Sequence, residues 1–119
     1  MIELVIPTFK RLNNQITLSN IPNDLLDNVT LVVQPQEEVE AKKIHHKIFV
    51  VSGDNIGFAK TIRDITYEFA VNRQSRFWIL DDDLKFLRHY EKDDGKLKKQ
   101  PMTDSDFDEV LKRTEEWMD

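Results

Sequence analysis

The stretch RFWILDDDL, residues 76–84, decides how this chain folds. Its run of bulky apolar residues ends abruptly in three carboxylates, Asp81, Asp82 and Asp83. The apolar part predicts a core strand buried on both faces, and the acidic part lies where that strand leaves the sheet. Adjacent negative charges repel one another and are costly to desolvate. A hard cation such as Mg2+ or Mn2+ would make them a binding site, and a solvated acidic turn is the alternative.

Shorter apolar segments upstream predict three more strands, at residues 2–6, 29–33 and 47–51. Helices are expected between them, at residues 11–19 and 37–44. Strands that alternate with helices favour a parallel sheet with crossover connections. The expected fold class is therefore α/β, a Rossmann-like, mostly parallel central sheet flanked by helices.

The longest predicted helix follows Gly57 and leads to the acidic strand. Its apolar side chains recur at helical spacing, with two alanines beside them: Phe58, Ala59, Ile62, Ile65, Phe69 and Ala70. This stripe predicts a face that packs on the sheet.

The segment after the acidic triplet predicts a hairpin and a last helix. Asp93-Asp94-Gly95 is a turn signal between residues 87–90 and 96–99. The helix begins at Thr103 or Ser105. Its expected apolar side consists of Phe107, Val110, Leu111 and Trp117 or Met118.

Three loops with chemical content follow predicted strands: residues 7–11, 53–57 and 81–83. Ligands of open α/β sheets bind outside the carboxyl ends of the strands, so these loops should meet. In the first loop, Thr8, Lys10 and Arg11 could contact a ribose and phosphates, or form a solvated helix start.

The second loop carries a glycine, Gly57, that would let backbone N–H groups approach an anion. Arg63, two turns into the following helix, could reach a phosphate or pair with a neighbouring acid. An ordinary strand-to-helix turn is the alternative.

Composition narrows the function classes. The formal net charge of -5 argues against a generic nucleic-acid binder, although a nucleic acid stays possible as an acceptor. No apolar run approaches the ~20 residues that span a bilayer, so no membrane role is expected. The absence of cysteine fits a reducing interior. Compact length and a charge-rich character are compatible with a phage or bacterial protein, so we expect a cytoplasmic location in a bacterial or phage-infected cell. His45 and His46 are predicted to be surface residues, since no second His or Cys cluster offers a zinc geometry.

Three motifs together resemble the GT-A, or nucleotide-diphospho-sugar, glycosyltransferases. They are Ile-Pro-Thr-Phe-Lys-Arg at 6–11, Asp-Asn-Ile-Gly-Phe-Ala at 54–59 followed by Arg63, and Ile-Leu-Asp-Asp-Asp at 79–83. Their order and spacing agree with that fold. The third motif looks like the DxD motif that ends a core strand in this family.

The resemblance implies a metal-dependent transferase that takes a sugar from a UDP- or GDP-sugar to an unknown acceptor. Asp81 and Asp83 would correspond to the DxD carboxylates and bind Mn2+ or Mg2+. The residues implied at the nucleotide sugar are Pro7, Thr8, Arg11, Gly57, Arg63, Asp81 and Asp82. The segment 34–37 departs from the family, in which an aspartate after the second strand commonly reads the base, so the base stays open.

The expected organisation is one domain, 1–119, with a donor- and metal-binding core at 1–86 and a hairpin or loop plus a helix at 87–119. Family members usually continue further and place the acceptor pocket and a general base there. We therefore expect a donor-binding half without its base, which self-associates through exposed sheet edges. A nucleotidyltransferase of related fold and a non-catalytic α/β module are the competing functions.

Overall fold

The computed structural model describes residues 2–92 and 94–118, and only the backbone of His89 and Tyr90. A parallel four-stranded sheet lies at its centre, in the order β3-β2-β1-β4. The strands are β1 (Glu3–Pro7), β2 (Val29–Val33), β3 (Ile48–Val50) and β4 (Phe77–Ile79). The predicted α/β class is confirmed.

The connections between these strands reverse direction once. From β1 the chain moves outward to β2 and then β3, and it returns to place β4 on the other side of β1. In the register, Leu4 of β1 pairs with Val29 of β2 and with Trp78 of β4. The boundary between β1 and β4 is therefore a topological switch point, where open α/β sheets form a crevice.

The remaining elements surround this sheet or follow it. The α-helices are α1 (Ile16–Ser19), α2 (Glu38–Lys42), α3 (Phe58–Thr66) and α4 (Asp104–Met118). Shorter turns of 3-10 helix are found at Asn23–Asn28 and Pro35–Glu37, and a π-helix at Tyr67–Asn72 continues α3. The predicted hairpin is confirmed as antiparallel β5 (Leu87–Glu91) and β6 (Leu97–Pro101), while Asp93 of its turn lies outside the described residues.

The prediction that β4 is buried on both faces is wrong. Phe77 and Trp78 are half-buried, and Ile79 is 36% exposed. The strand lies at an edge of the sheet, so it has a neighbour on one side only. The fully buried strand is β2, all five residues of which are buried.

The first helix is shorter than predicted, because residues 11–15 do not form it. Lys10 has a left-handed backbone with φ of 62°, so the chain turns after β1, and α1 begins only at Ile16. The side chain of Gln15 then donates to the carbonyl oxygen of Arg11 at 2.8 Å and to Thr8 Oγ1 at 2.8 Å. A side chain thus satisfies a carbonyl group that a helical hydrogen bond would otherwise use.

The buried face of α3 differs from the predicted stripe. Phe58 is 80% exposed, whereas Thr61, Ile65 and Phe69 are buried at intervals of four residues. The two alanines, Ala59 and Ala70, are exposed, and Ile62 is half-buried. The helix is therefore turned so that its first aromatic residue is left out of the core.

Two apolar clusters enclose the sheet, because alternate residues of a strand face opposite sides. Leu4 and Ile6 belong to one cluster, which includes Phe107 and Leu111 of α4. Val5 belongs to the other, which includes Ile65 and Phe69 on the α3 side.

The last helix begins at Asp104, and Thr103, one of the two predicted start residues, caps it through a reciprocal pair of hydrogen bonds. Thr103 Oγ1 accepts the N–H of Asp106 at 3.1 Å, and the carboxylate of Asp106 accepts the N–H of Thr103 at 3.0 Å. Of its predicted apolar side, Phe107 and Leu111 are buried. Val110, Trp117 and Met118 are exposed, so that part of the prediction is wrong.

His45 is buried, contrary to the prediction of a surface residue. Its ring nitrogen Nε2 lies 2.6 Å from the carbonyl oxygen of Val29, at the start of β2. Burial lowers the pKa of His45 below its ordinary value of 6.5, and the neighbouring His46 and Lys47 act in the same direction. His45 thus attaches the segment that follows α2 to the first residue of β2 through this hydrogen bond. His46 is exposed, as predicted, and contacts Asp27 at 3.0 Å.

Candidate functional site

A cleft of about 780 Å³ lies at the carboxyl ends of the strands. Its lining contains residues that follow or end each of the four parallel strands. They are Pro7, Phe9, Lys10, Gln34, Val51, Gly53, Asn55, Ile56, Gly57, Phe58, Thr61, Ile62, Ile79 and Asp81. The predicted meeting of three loops at this edge of the sheet is confirmed, and the volume is that of a typical small-molecule site.

Three of the predicted site residues line this cleft: Pro7, Gly57 and Asp81. Gly57 has a φ of 85°, a conformation that residues with a Cβ rarely adopt, and α3 begins immediately after it. Its carbonyl oxygen accepts both the N–H and the hydroxyl of Thr61, at 3.1 and 2.8 Å. The start of α3 is thereby fixed at the wall of the cleft.

Asp82 is buried, is not among the residues that line the cleft, and contacts two other predicted site residues. Its Oδ2 accepts the hydroxyl of Thr8 at 3.0 Å, and its Oδ1 lies 3.0 Å from Nη1 of Arg11. Thr8 is 1% exposed and Asp82 is 7% exposed. These side chains join the loop after β1 to the acidic turn, so they hold the site's shape and do not line it.

A buried threonine in α1 holds the backbone of the acidic turn. The hydroxyl of Thr17 donates to the carbonyl oxygen of Asp81 and accepts the N–H of Leu84 at 2.7 Å. The backbone N–H of Thr17 donates to the carbonyl oxygen of Asp82 at 3.1 Å. Thr17 is fully buried, so this contact fixes the position from which the carboxylate of Asp81 extends.

The two predicted metal ligands, Asp81 and Asp83, are both exposed. Neither side chain makes a hydrogen bond or an ion pair within residues 2–92 and 94–118. Asp81 lines the cleft, and Asp83 is not among the lining residues. Of the three carboxylates, the middle one is buried, whereas the outer two are exposed.

Asp81 and Asp83 supply some of the ligands that a cation needs, but not a complete set. The described part of the chain contains no group of three or more His, Cys, Asp or Glu side chains that could hold a metal ion. A carboxylate without a partner at a cleft can still bind Mg2+ or Mn2+ when a diphosphate supplies further oxygen ligands. The donor set therefore fits a metal that enters together with a phosphorylated ligand.

Arg63 lies in a different groove, which is lined by Phe49, Ser52, Tyr67 and other residues of β3 and α3. It does not join the other predicted residues at the cleft. Its neighbour Asp64 accepts the backbone N–H of Ser52 at 2.9 Å, and this hydrogen bond lowers the pKa of Asp64. The acid on this face of α3 thus anchors the loop after β3.

The sequence does not indicate several of the lining residues as site residues, notably Phe9, Gln34 and Phe58. The helical stripe assigned Phe58 to the core, because its spacing to Ile62 and Ile65 fits a buried face. Gln34 lies in the segment 34–37 that departs from the GT-A pattern, although a polar residue directly after a buried strand is a signal for a site. Phe9 packs partly against the second apolar cluster, which gives no separate signal in the sequence.

The fold and the cleft define an α/β protein with a cleft at the carboxyl ends of a parallel sheet. The sequence model of the TET-associated glycosyltransferases matches residues 2–119, and the chain belongs to this family. Searches of curated proteins and of solved structures give no significant match. None of the helices in residues 2–92 and 94–118 has the length and apolar character needed to cross a membrane.

Proposed function

We propose that the cleft binds a nucleotide-sugar donor and that the chain takes part in transferring its sugar to an acceptor. The observation that carries this proposal is the carboxylate of Asp81, which has no hydrogen bond or ion pair within the described residues and lines a cleft at the strand ends of a glycosyltransferase-family chain. The cleft has room for a nucleoside diphosphate, since small-molecule sites of this kind measure roughly 300–1,000 Å³.

The charges around the cleft suit an anionic ligand that carries its own cation. Lys10 is the one lysine or arginine in the lining within the described residues, and its side chain is exposed. The first N–H groups of α3 lie at the cleft wall, where a helix favours negative charge. Lys10 and the start of α3 would thus contact the phosphates of the donor.

Asp81, with Asp83 as a second ligand, would hold Mn2+ or Mg2+ against the diphosphate. The bound metal would supply positive charge that stabilises the diphosphate as it leaves the sugar. The chain's own contribution is to keep Asp81 in place, through Thr17 on its carbonyl oxygen and the buried Asp82 beside it. Because Asp82 already binds Thr8 and Arg11, we assign it to support and leave the metal to its neighbours.

The apolar part of the lining would bind the base or the sugar. Phe58 is a large aromatic side chain that folding leaves exposed at the cleft, and Phe9 and Ile56 line the same space. Aromatic faces stack on nucleobases of any sequence, so this wall does not by itself choose between uracil and guanine. UDP- and GDP-sugars are both retained as donors.

Titration calorimetry with UDP and GDP tests the proposal directly. We expect at least one of them to bind in the presence of Mn2+ or Mg2+, and the affinity to fall when EDTA removes the metal. A titration with metal alone is the control, and it should show little heat, because the described carboxylates do not form a complete metal site. No binding of either nucleotide at millimolar concentration, with metal present, would contradict the proposal.

A further inference from the structure

The cleft wall contains a chain of hydrogen bonds that links three loops through two side chains. Gln34, which follows β2, is 3% exposed, and its Nε2 donates to Glu37 Oε1 at 3.0 Å. Its Oε1 accepts the backbone N–H of Asn55 at 2.8 Å. The second carboxylate oxygen of Glu37 accepts the backbone N–H of Lys10 at 2.8 Å.

The two residues held by this pair share an uncommon backbone conformation. Lys10 has a φ of 62° and Asn55 a φ of 52°, and neither is a glycine. Residues with a Cβ occupy this region only when their surroundings stabilise it. Here each backbone N–H is captured by one member of the Gln34–Glu37 pair, and Lys10, Gln34 and Asn55 all line the cleft.

The two side chains have complementary hydrogen-bonding groups. The carboxylate of Glu37 accepts two N–H groups, and the amide of Gln34 donates one hydrogen bond and accepts another. All three hydrogen bonds therefore pair a donor with an acceptor. Gln34 thereby uses both ends of its amide inside the protein. It is consequently not free to read a base, which is the role that an acid at this position would have in the GT-A resemblance.

We infer that Gln34 and Glu37 are positioning residues that set the distance between the loops after β1 and β3. This inference rests on the proposed function, because the distance matters for the ligand of the cleft. Lys10 on one loop and the segment from Asn55 to Gly57 on the other would bind the same nucleotide. If the pair is broken, the two loops relax independently and the nucleotide loses contacts with one of them.

An exchange of the two side chains tests the inference with the net charge of the pair unchanged. Gln34→Glu places two carboxylates together, and Glu37→Gln places two amides together, so each single variant breaks the set. The double variant, Gln34→Glu with Glu37→Gln, restores all three hydrogen bonds. Its amide at position 37 can donate to the carboxylate at position 34 and accept from the N–H of Lys10. Glu40→Gln, on the exposed side of α2 where Glu40 pairs with Lys43, is the matched control.

Two quantities are measured for each variant, at a temperature well below the melting temperature of that variant. The first is amide hydrogen exchange of Lys10 and Asn55 by NMR, without ligand, which reports the hydrogen bonds themselves. The second is the Kd for UDP or GDP with Mn2+. We expect faster exchange and at least about tenfold weaker binding in each single variant, and recovery to within about threefold of wild type in the double variant.

The two measurements together distinguish a failure of the hydrogen-bonded pair from a failure of its positioning role. Unchanged exchange in the single variants would overturn the hydrogen-bonded pair. Faster exchange with unchanged nucleotide affinity would overturn the positioning role and leave a purely structural contact. If the wild-type chain binds no nucleotide while exchange responds as expected, the proposed function fails and the pair, as a link between loops, stands.

Discussion

Arg11 and Asp82 are separated by 71 residues in the chain, and Nη1 of Arg11 lies 3.0 Å from Oδ1 of Asp82. The carboxylate side chain is 9% exposed, whereas the arginine side chain is 56% exposed. Because β1 and β4 are neighbours, the loops that follow them are brought together, and this contact joins them. The middle residue of the acidic turn therefore attaches this turn to the loop that follows β1.

Replacement of Asp82 by alanine is expected to destabilise the fold. It removes the acceptor of the buried Thr8 hydroxyl and the partner of Arg11, at a cost of about 2 kcal/mol in the free energy of unfolding. Arg11→Ala should cost less than about 1 kcal/mol, since Arg11 is largely solvated. Urea denaturation of both variants measures the difference, and equal effects would contradict a buried anchoring role for Asp82.

Replacement of Thr17 by valine is expected to act on the same turn through the backbone. Valine has a similar shape but leaves the carbonyl oxygen of Asp81 and the N–H of Leu84 without the hydroxyl, which costs about 2 kcal/mol. Thr17→Ser, which keeps the hydroxyl, should retain most of that stability. Urea denaturation of the two variants gives the comparison. A serine variant as unstable as the valine variant would show that packing, not the hydrogen bonds, matters at this position.

Phe58→Ala is expected to weaken nucleotide binding while leaving the stability of the fold nearly unchanged. The side chain is 80% exposed, so its removal should change the free energy of unfolding by no more than about 0.5 kcal/mol. If the ring stacks on the base, nucleotide affinity should fall about tenfold, as for other aromatic platforms. Tyr67→Ala is the control, because Tyr67 is 60% exposed and lines the groove outside the cleft. Unchanged affinity in Phe58→Ala would exclude the stacking role.

Stability should fall as the pH drops below the ordinary pKa of histidine. The folded state lowers the pKa of His45 through burial, so below pH 6.5 the unfolded chain takes up the proton more readily. The contribution of His45 is thus fully present above 6.5 and is lost as the pH falls through the lowered folded value. Urea denaturation at pH 7.5 and 5.5 measures this slope.

His45→Gln should flatten that slope, since glutamine can still donate to the carbonyl oxygen of Val29 but does not titrate. His46→Gln is the comparison, because His46 is exposed and contacts Asp27 and the ring of His45. Its charge is a lesser cause of the lowered pKa of His45 than burial, so this variant should keep most of the slope. A slope that survives in His45→Gln would mean that other groups titrate in this range.

Strand positions could be predicted from the sequence because short apolar runs that end near a proline, at Ser52-Gly53 or at the acidic triplet leave little choice. Which strand lies at an edge could not be predicted in this way. RFWIL in residues 76–80 is as apolar as a central strand, but burial depends on the strand order, which local sequence does not encode. The same limit applies to self-association through exposed edges, which stays a prediction to be tested by light scattering.

The part of the site formed by residues close to strand ends could be predicted from the sequence. Pro7, Gly57 and Asp81 reach the cleft because each closely follows or ends a strand or precedes α3. Arg63 could not be placed, since the rotation of a helix decides which groove its side chain enters. The fixed contacts of Gln34 and Thr17 join residues more than twenty positions apart, and no local pattern indicates such pairs.

The most direct test compares Asp81→Asn with Asp83→Asn in a thermal-shift measurement with Mn2+ and UDP or GDP. The Asp81 side chain makes no hydrogen bond or ion pair within the described residues, so its replacement should leave the melting temperature of the free protein nearly unchanged. We predict that Asp81→Asn loses the metal-dependent stabilisation by the nucleotide and that Asp83→Asn loses less of it. Full metal-dependent stabilisation in Asp81→Asn would contradict the assignment of this carboxylate to the donor site.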